Sequence, residues 1–307
     1  MTNFIGMMDI EKDIVRVLDD AILMKNRRVT FKPLDGKVLA MLFEKPSLRT
    51  RVSFEVGFKQ LGGHPMYLSP NEVGIGKRES TADVGNVLSR FADIISYRAF
   101  SHQNVVEIGE YATVPVINAL DDIEHPCQTM ADLLTIKEHK KDFKRKLVYI
   151  GDGNNVCHSL MLGAAMVGMD ISVATPEGYG PNEDIIATAK SISEKTWCTV
   201  EVGNDPMESV KGADVIYTDT WVSMGDEDEK ATRMKLFEPF QVNKELVKDA
   251  DEDFIFMHCL PAHRGEEVSA EIIDGPHSVI FDEAENRMHA QKAVMLWALN
   301  VPVVSPE

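Results

Sequence analysis

Short apolar runs recur along this chain with helical spacing between them. In the first half they fall at Val38 to Phe43, Pro65 to Leu68, Asp93 to Tyr97 and Val114 to Asn118. The second half restarts at Leu147 to Ile150 and continues through Ile171 to Ala174, Thr199 to Val202, Val215 to Thr218, Phe254 to Met257 and Val279 to Phe281. Short runs of this kind read as strands, and alternation with helical segments is the βαβ rhythm of a parallel sheet. The pattern therefore predicts an α/β fold of two domains, each a mainly parallel sheet flanked by helices on both faces. An amphipathic helix is expected near Asp9 to Lys25, and a last helical pattern over Glu285 to Leu299.

The expected boundary is the polar stretch Lys137 to Lys146, whose six lysines and arginines would stay solvated between two cores. This divides the chain into residues 1–139 and 140–307, with the helix at 285–300 free to join either half. Ligands of open α/β sheets bind beyond the carboxyl ends of the strands. Polar segments follow the strands in both halves, so an active site is expected in a cleft between the domains.

Composition narrows the partners. A chain of 307 residues with 44% apolar content can bury a large core, and a formal net charge of -17 disfavours general affinity for nucleic acid or anionic membrane. Any anionic ligand must be caught locally. No apolar run is long enough to span a bilayer, and the first residues are acidic where a signal peptide is basic, so a cytoplasmic protein is expected. The four cysteines, Cys127, Cys157, Cys198 and Cys259, form no C-x-x-C pair and are expected as reduced thiols.

The segment Glu44 to Arg51, EKPSLRTR, follows the first strand and opens a helical pattern. A helix N-terminus offers unbonded N–H groups and partial positive charge, which suit a phosphate beside the Ser47 and Thr50 hydroxyls and the Arg49 guanidinium. Ser47 serves equally well as a plain N-cap. Arg98 ends another strand, and His125 with Gln128 follows a third. Three such donors at one sheet edge suit an anion whose carbonyl oxygen gains charge in a reaction. In the second half, Gly151 and Gly153 invite a dinucleotide reading, but the third glycine is missing because Asn154 and Asn155 follow. Those amides suit a carboxylate or amide group. Asp219 ends a strand and needs a cationic partner or water, which in a ligand cleft would be an ammonium. Ser223, Met224 and Gly225 form a turn that would line the rest of a small amine. His258, Cys259 and His263 lack the paired spacing of usual zinc sites, so no metal is expected, and Cys259 reads as a positioning residue.

Taken together, SLRT, HPCQ, DTWVSMG, HCLPAHRG and ENRMHAQKA, in this order, resemble the aspartate/ornithine carbamoyltransferase family over essentially the whole chain. The S-M-G turn and H-C-L-P point to its ornithine branch. The resemblance implies a carbamoyl-phosphate-binding half and an amino-acid-binding half, with sites shared across a homotrimer or a multiple of trimers. It implies carbamoyl transfer from carbamoyl phosphate to the side-chain amine of L-ornithine, giving L-citrulline and phosphate without a cofactor. By motif, Ser47, Leu48, Arg49 and Thr50 would hold the phosphate. Arg98, His125, Pro126, Cys127 and Gln128, with Cys259, Leu260 and Arg287, would bind the carbamoyl group. Asn155, Asp219, Ser223 and Met224 would bind ornithine, and Arg98, His125, Asp219 and Cys259 would be catalytic. One departure stands out: Gly74 occupies the position where the family's loop usually carries a polar residue that reaches a neighbouring subunit, with Lys77 or Arg78 as possible replacements. Rival readings are transfer to another amine, such as putrescine or an N-acylated ornithine, a non-catalytic carbamoyl-phosphate-binding protein, and a nicotinamide-dependent dehydrogenase.

Overall fold

The computed structural model describes residues 2–26, 32–69, 73–75, 78–222 and 227–303. The chain divides into two units, one of Met1–Leu134 with Glu285–Glu307, the other of Thr135–Ala284. Both divisions fall inside helices rather than in loops.

In the first unit, β1 (Val38–Phe43) is buried along almost its whole length and lies inside a four-stranded parallel sheet. Its companions are β2 (His64–Leu68), β3 (Ile94–Arg98) and β4 (Val116–Leu120), in the order β2-β1-β3-β4. Ala40, Leu42, Ile95, Tyr97 and Val116 pack with Val84 of α3 (Thr81–Leu88) and with Val105 and Ile108 of α4 (His102–Tyr111). α1 (Ile14–Asn26) begins only after a 3-10 turn at Met7–Ile10, so the expected opening helix is two pieces. The strand order reverses direction between β1 and β3. Their ends are level, Phe43 pairing with Arg98, and this switch point is where an open sheet leaves a crevice.

The second unit holds a five-stranded parallel sheet in the order β7-β6-β5-β8-β9. Its strands are β5 (Lys146–Ile150), β6 (Asp170–Ala174), β7 (Val200–Gly203), β8 (Val215–Thr218) and β9 (Ile255–His258). Val148, Ile150, Ile216 and Phe256 form the heart of its core with Val210, Phe240 and Leu246. Here the switch point lies between β5 and β8, whose residues pair from Leu147 with Val215 to Ile150 with Thr218.

Two expectations are corrected. Val279 to Phe281 is not a strand: Ser278 makes one isolated bridge to Phe256, and a helix, Ile280–Ala298, begins immediately after. Burial follows helical spacing, with Ile280 and Glu283 inside and Phe281 74% exposed. Three apolar residues cannot by themselves separate a strand from a buried helical turn. The basic run Lys137 to Lys146 is also not a solvated linker. The helix α5 (Pro126–Lys140) runs through its start, and buried Lys140 donates to the Asp253 carbonyl at 2.5 Å and pairs with the Asp253 carboxylate at 3.2 Å. Its amine enters the fold because its long stem can be buried while the charge keeps a partner. Among the described residues no helix is long and apolar enough to cross a membrane.

Candidate active site

At the first switch point, the chain leaving β1 turns into α2 (Leu48–Gln60) with Ser47 as its N-cap. Ser47 is extended, and its hydroxyl accepts the Thr50 N–H at 3.3 Å, so the capping role is real. Capping leaves other first-turn N–H groups outside the helical ladder, available to an anion. Leu48 turns its side chain to solvent, so only its backbone is placed for such a ligand. Arg51 folds over the Tyr67 ring, 4.0 Å from its centroid, and pairs with Glu55. Glu44 accepts the Phe100 N–H at 2.7 Å and ties the two segments that leave β1 and β3.

Thr50, Arg98, His125, Gln128 and Arg287 are all buried. The Arg287 guanidinium donates to Gln128 Oε1 at 2.6 Å and to Thr50 Oγ1 at 3.2 Å. Gln128 Nε2 passes the constraint on to Asp132 Oδ1 at 2.7 Å. Residues from three distant stretches of sequence are thereby fixed to one another. The β3–β4 ladder shifts register between Tyr97 and Arg98, bringing Arg98 opposite Leu120. Burial holds the pKa of His125 well below its ordinary value, and Arg287, Arg98, Lys45 and Arg49 depress it further. The imidazole is therefore neutral at neutral pH, and four cations act on one buried ring. Pro126 starts the helix after β4, a position that tolerates proline because its missing N–H would be unbonded anyway. The buried Cys127 thiol donates to the Asn118 carbonyl at 3.4 Å, and burial pushes its pKa up to about 12 against the influence of Arg287. That side chain is a packing group.

The second switch point joins the turn after β5 to the end of β8. Asn154 caps α6 (Asn155–Val167), its Oδ1 accepting the N–H groups of Val156 and Cys157. Its Nδ2 donates to Asp219 Oδ2 at 2.9 Å. Asp219 Oδ1 accepts the Thr220 N–H at 2.8 Å and the Cys259 thiol at 3.1 Å. Asp219 is buried, and the partners described for its carboxylate are the Asn154 amide, the Thr220 N–H and the Cys259 thiol. The amide that grips it belongs to Asn154; Asn155 is the first residue of the helix and half-buried. Gly153 has a packing reason: a Cβ there would collide with the backbone of Gly180 and Pro181. Ser223 and Met224 lie outside the described residues.

Sequence reasoning missed the support beneath Cys259. His258 and Glu267 are fully buried and bonded, Nε2 to Oε1, at 3.1 Å. His258 Nδ1 accepts the Leu260 N–H at 2.9 Å, and Glu267 Oε1 also accepts the His263 N–H at 2.6 Å. One carboxylate therefore holds both ends of the HCLPAH turn. Leu260 sits at φ 59 before a cis proline, a left-handed conformation that L residues adopt only when their surroundings over-determine it. Arg233 was also missed; it donates to Asp152 Oδ2 at 2.9 Å and to the Trp221 carbonyl at 3.1 Å. Ligand-type atoms of Asp219, His258 and Cys259 lie within 4.8 Å of one another, as do those of His263, Glu266 and Glu267. A metal at the first group would have to displace the thiol–carboxylate and imidazole bonds just described. Gly74 has φ 62, and a Cβ added there would meet Arg78 Cβ at 3.2 Å.

The family profile described as aspartate/ornithine carbamoyltransferase, carbamoyl-P binding domain, matches residues 2–138. The companion Asp/Orn binding domain matches residues 144–298. An ornithine carbamoyltransferase of Methanosphaera stadtmanae is 53% identical, covering 96% of this chain and 98% of that protein. A catabolic ornithine carbamoyltransferase of Thermoplasma acidophilum is 51% identical over 95% of this chain and 97% of its own. Among solved structures, ornithine carbamoyltransferase from Pyrococcus furiosus aligns with TM-score 0.93 at 50% identity, covering 96% of each chain. The anabolic enzyme from Campylobacter jejuni aligns with TM-score 0.94 at 38% identity, covering 98% of this chain and 99% of that one. With both halves matched in order and relatives aligned over nearly the whole length, the chain belongs to the aspartate/ornithine carbamoyltransferase family.

Proposed function

We propose that this protein transfers the carbamoyl group of carbamoyl phosphate to the side-chain amine of L-ornithine, giving L-citrulline and phosphate. The carrying observation is the pairing of opposite chemistries at the two switch points. One gathers Arg49, Arg98, Arg287 and Lys45 around neutral His125; the other presents the Asp219 carboxylate, held by the Asn154 amide and the Cys259 thiol. A phosphorylated carbonyl compound fits the first, and a diamino acid fits the second. The names of the relatives support the same substrates.

In this mechanism the Asp219 carboxylate holds the α-ammonium of ornithine, and Asn154 and Asn155 stand at the helix end nearest its α-carboxylate. The distal amine, with a reference pKa of about 10.4 like lysine, must lose a proton before it attacks. Its nitrogen then bonds to the carbamoyl carbon, with Cys259 beside Asp219 to orient the amine. Arg98, neutral His125 and the Thr50 hydroxyl stabilise the tetrahedral oxyanion, and the carbon–oxygen bond to phosphate breaks. Arg49 and the N-terminus of α2 stabilise the departing phosphate, and one proton is released overall. No step calls for a metal or organic cofactor.

The working form we propose is a cytoplasmic homo-oligomer, a trimer or a multiple of trimers. Leu48, Val52 and Val56, 75%, 48% and 38% exposed, form an apolar stripe at four-residue spacing along α2 that a second copy would cover. Citrulline-type product measured from carbamoyl phosphate with ornithine, aspartate and putrescine in parallel tests the reading. Product with ornithine alone is expected; equal turnover of putrescine overturns it, because that amine carries no α-carboxylate.

A further inference from the structure

A carboxylate is buried inside the turn that carries His125. Asp121 has no exposed surface. Its Oδ1 accepts the backbone N–H groups of Ile123 at 2.8 Å and Glu124 at 2.7 Å. Its Oδ2 accepts Asn118 Nδ2 at 2.8 Å and bonds His102 Nδ1 at 2.6 Å. The Asp121 N–H donates to the Glu124 carbonyl at 3.0 Å, closing the loop immediately before His125. A serine or threonine could close such a turn without charge, though with weaker hydrogen bonds. Aspartate bonds the two N–H groups more strongly and introduces a negative charge into an edge built to attract an anion.

The fold places a counter-charge against it. His102 is the first residue of α4, four positions beyond Arg98 along the chain, and its N–H donates to Asp122 Oδ1 at 2.6 Å. Asp121 also lies within the electrostatic reach of Lys45, together with Asp122, Glu44 and Arg98. An Asp121 charge that His102 did not offset would oppose the cations that surround His125.

We propose that His102 is a charge-compensating, positioning residue for carbamoyl-phosphate binding: it neutralises Asp121, so the His125 turn keeps a carboxylate's strong hydrogen bonds without repelling the substrate. The inference rests on the function proposed above. The hydrogen bond from Asp121 raises the pKa of His102 above the usual 6.5; partial burial opposes this, and Asp121, Glu124 and Asp122 reinforce it. The compensating charge is present below that raised value and is lost as pH rises through it. Beyond it His102 no longer offsets the Asp121 charge, and carbamoyl phosphate binds more weakly.

The test is steady-state kinetics of wild type, His102→Gln and the double variant His102→Gln/Asp121→Ser from about pH 6 to pH 9, the range in which histidine titrates. In the wild type, KM for carbamoyl phosphate is expected to rise on the alkaline side. In His102→Gln it is already raised at neutral pH, by about 5-fold for one uncompensated charge near the site, and loses that rise. Its kcat and its KM for ornithine stay near wild type. The double variant, lacking both charges, restores KM for carbamoyl phosphate toward the wild-type value. A His102→Gln enzyme with wild-type KM and pH profile overturns the inference, as does a raised KM that the double variant fails to reverse. Wild-type protein that forms no citrulline sinks the proposed function instead, so the two failures are distinguishable.

Discussion

At the switch point of the first sheet, four cations act on one buried imidazole; at that of the second, one carboxylate is held by an amide, a backbone N–H and a thiol. The first edge works by accumulated field. Each cation adds to that field, which lowers the pKa of His125 further after burial has already lowered it. The second works by directed hydrogen bonds to a lone anion, each donor fixing the orientation of Asp219 without cancelling its charge. The same sheet topology can thus serve an anion or a cation, because topology decides only where loops converge, and side chains decide what they bind.

The largest effect expected from breaking this contrast lies on the field side. Arg98→Ala is expected to lower turnover about 10²- to 10³-fold, the usual consequence of deleting one oxyanion donor, with thermal unfolding little changed. Near-normal kcat would remove Arg98 from the reacting group. On the directed side, Asp219→Asn keeps the shape and deletes the charge. KM for ornithine is expected to rise about 10- to 100-fold, the worth of one charged hydrogen-bond partner, while KM for carbamoyl phosphate stays close to wild type. Equal weakening of both substrates would mean that the two edges are not chemically separate.

The smallest effect concerns the support beneath Cys259. Burial raises the pKa of Glu267, but hydrogen bonds from His258 and from the His263 backbone outweigh it and hold the carboxyl below the usual 4.5. A depressed carboxylate stabilises the fold above its unfolded pKa, and that contribution is lost as pH falls through the folded value. Glu267→Gln is therefore expected to cost about 1–3 kcal/mol at neutral pH, the worth of a charged hydrogen bond, with the difference shrinking below pH 4.5. Thermal melts of both proteins across acid pH check this; curves that stay parallel would show that Glu267 is not ionised against His258.

Much of this was readable before folding. Val38–Phe43 and Val215–Thr218 are strands over the very residues whose apolar runs predicted them, because a strand covered on both faces leaves no room for polar residues. Ser47, Arg98, His125 and Asp219 could be singled out because each follows or ends such a strand. The amide was less legible: Asn154 and Asn155 are chemically identical, and only the cap geometry of α6 decides that Asn154 reaches Asp219. Glu267, Arg233 and Asp121 carry no motif of their own, since a buried carboxylate or guanidinium looks like any surface charge until its partners are known.

What the chain determined by itself is the sequence of strands and helices and the polar segments that end the strands, since hydrophobic period and helix capping are local properties. Tertiary structure alone decided which distant groups meet. Arg287 reaches Thr50 and Gln128 from the far end of the chain, and His102 comes to lie against Asp121. The physical reason is that burial, more than residue type, sets the energy of a charge: an ionised side chain within the core must find a partner, and only the folded path of the chain determines which partner is within reach.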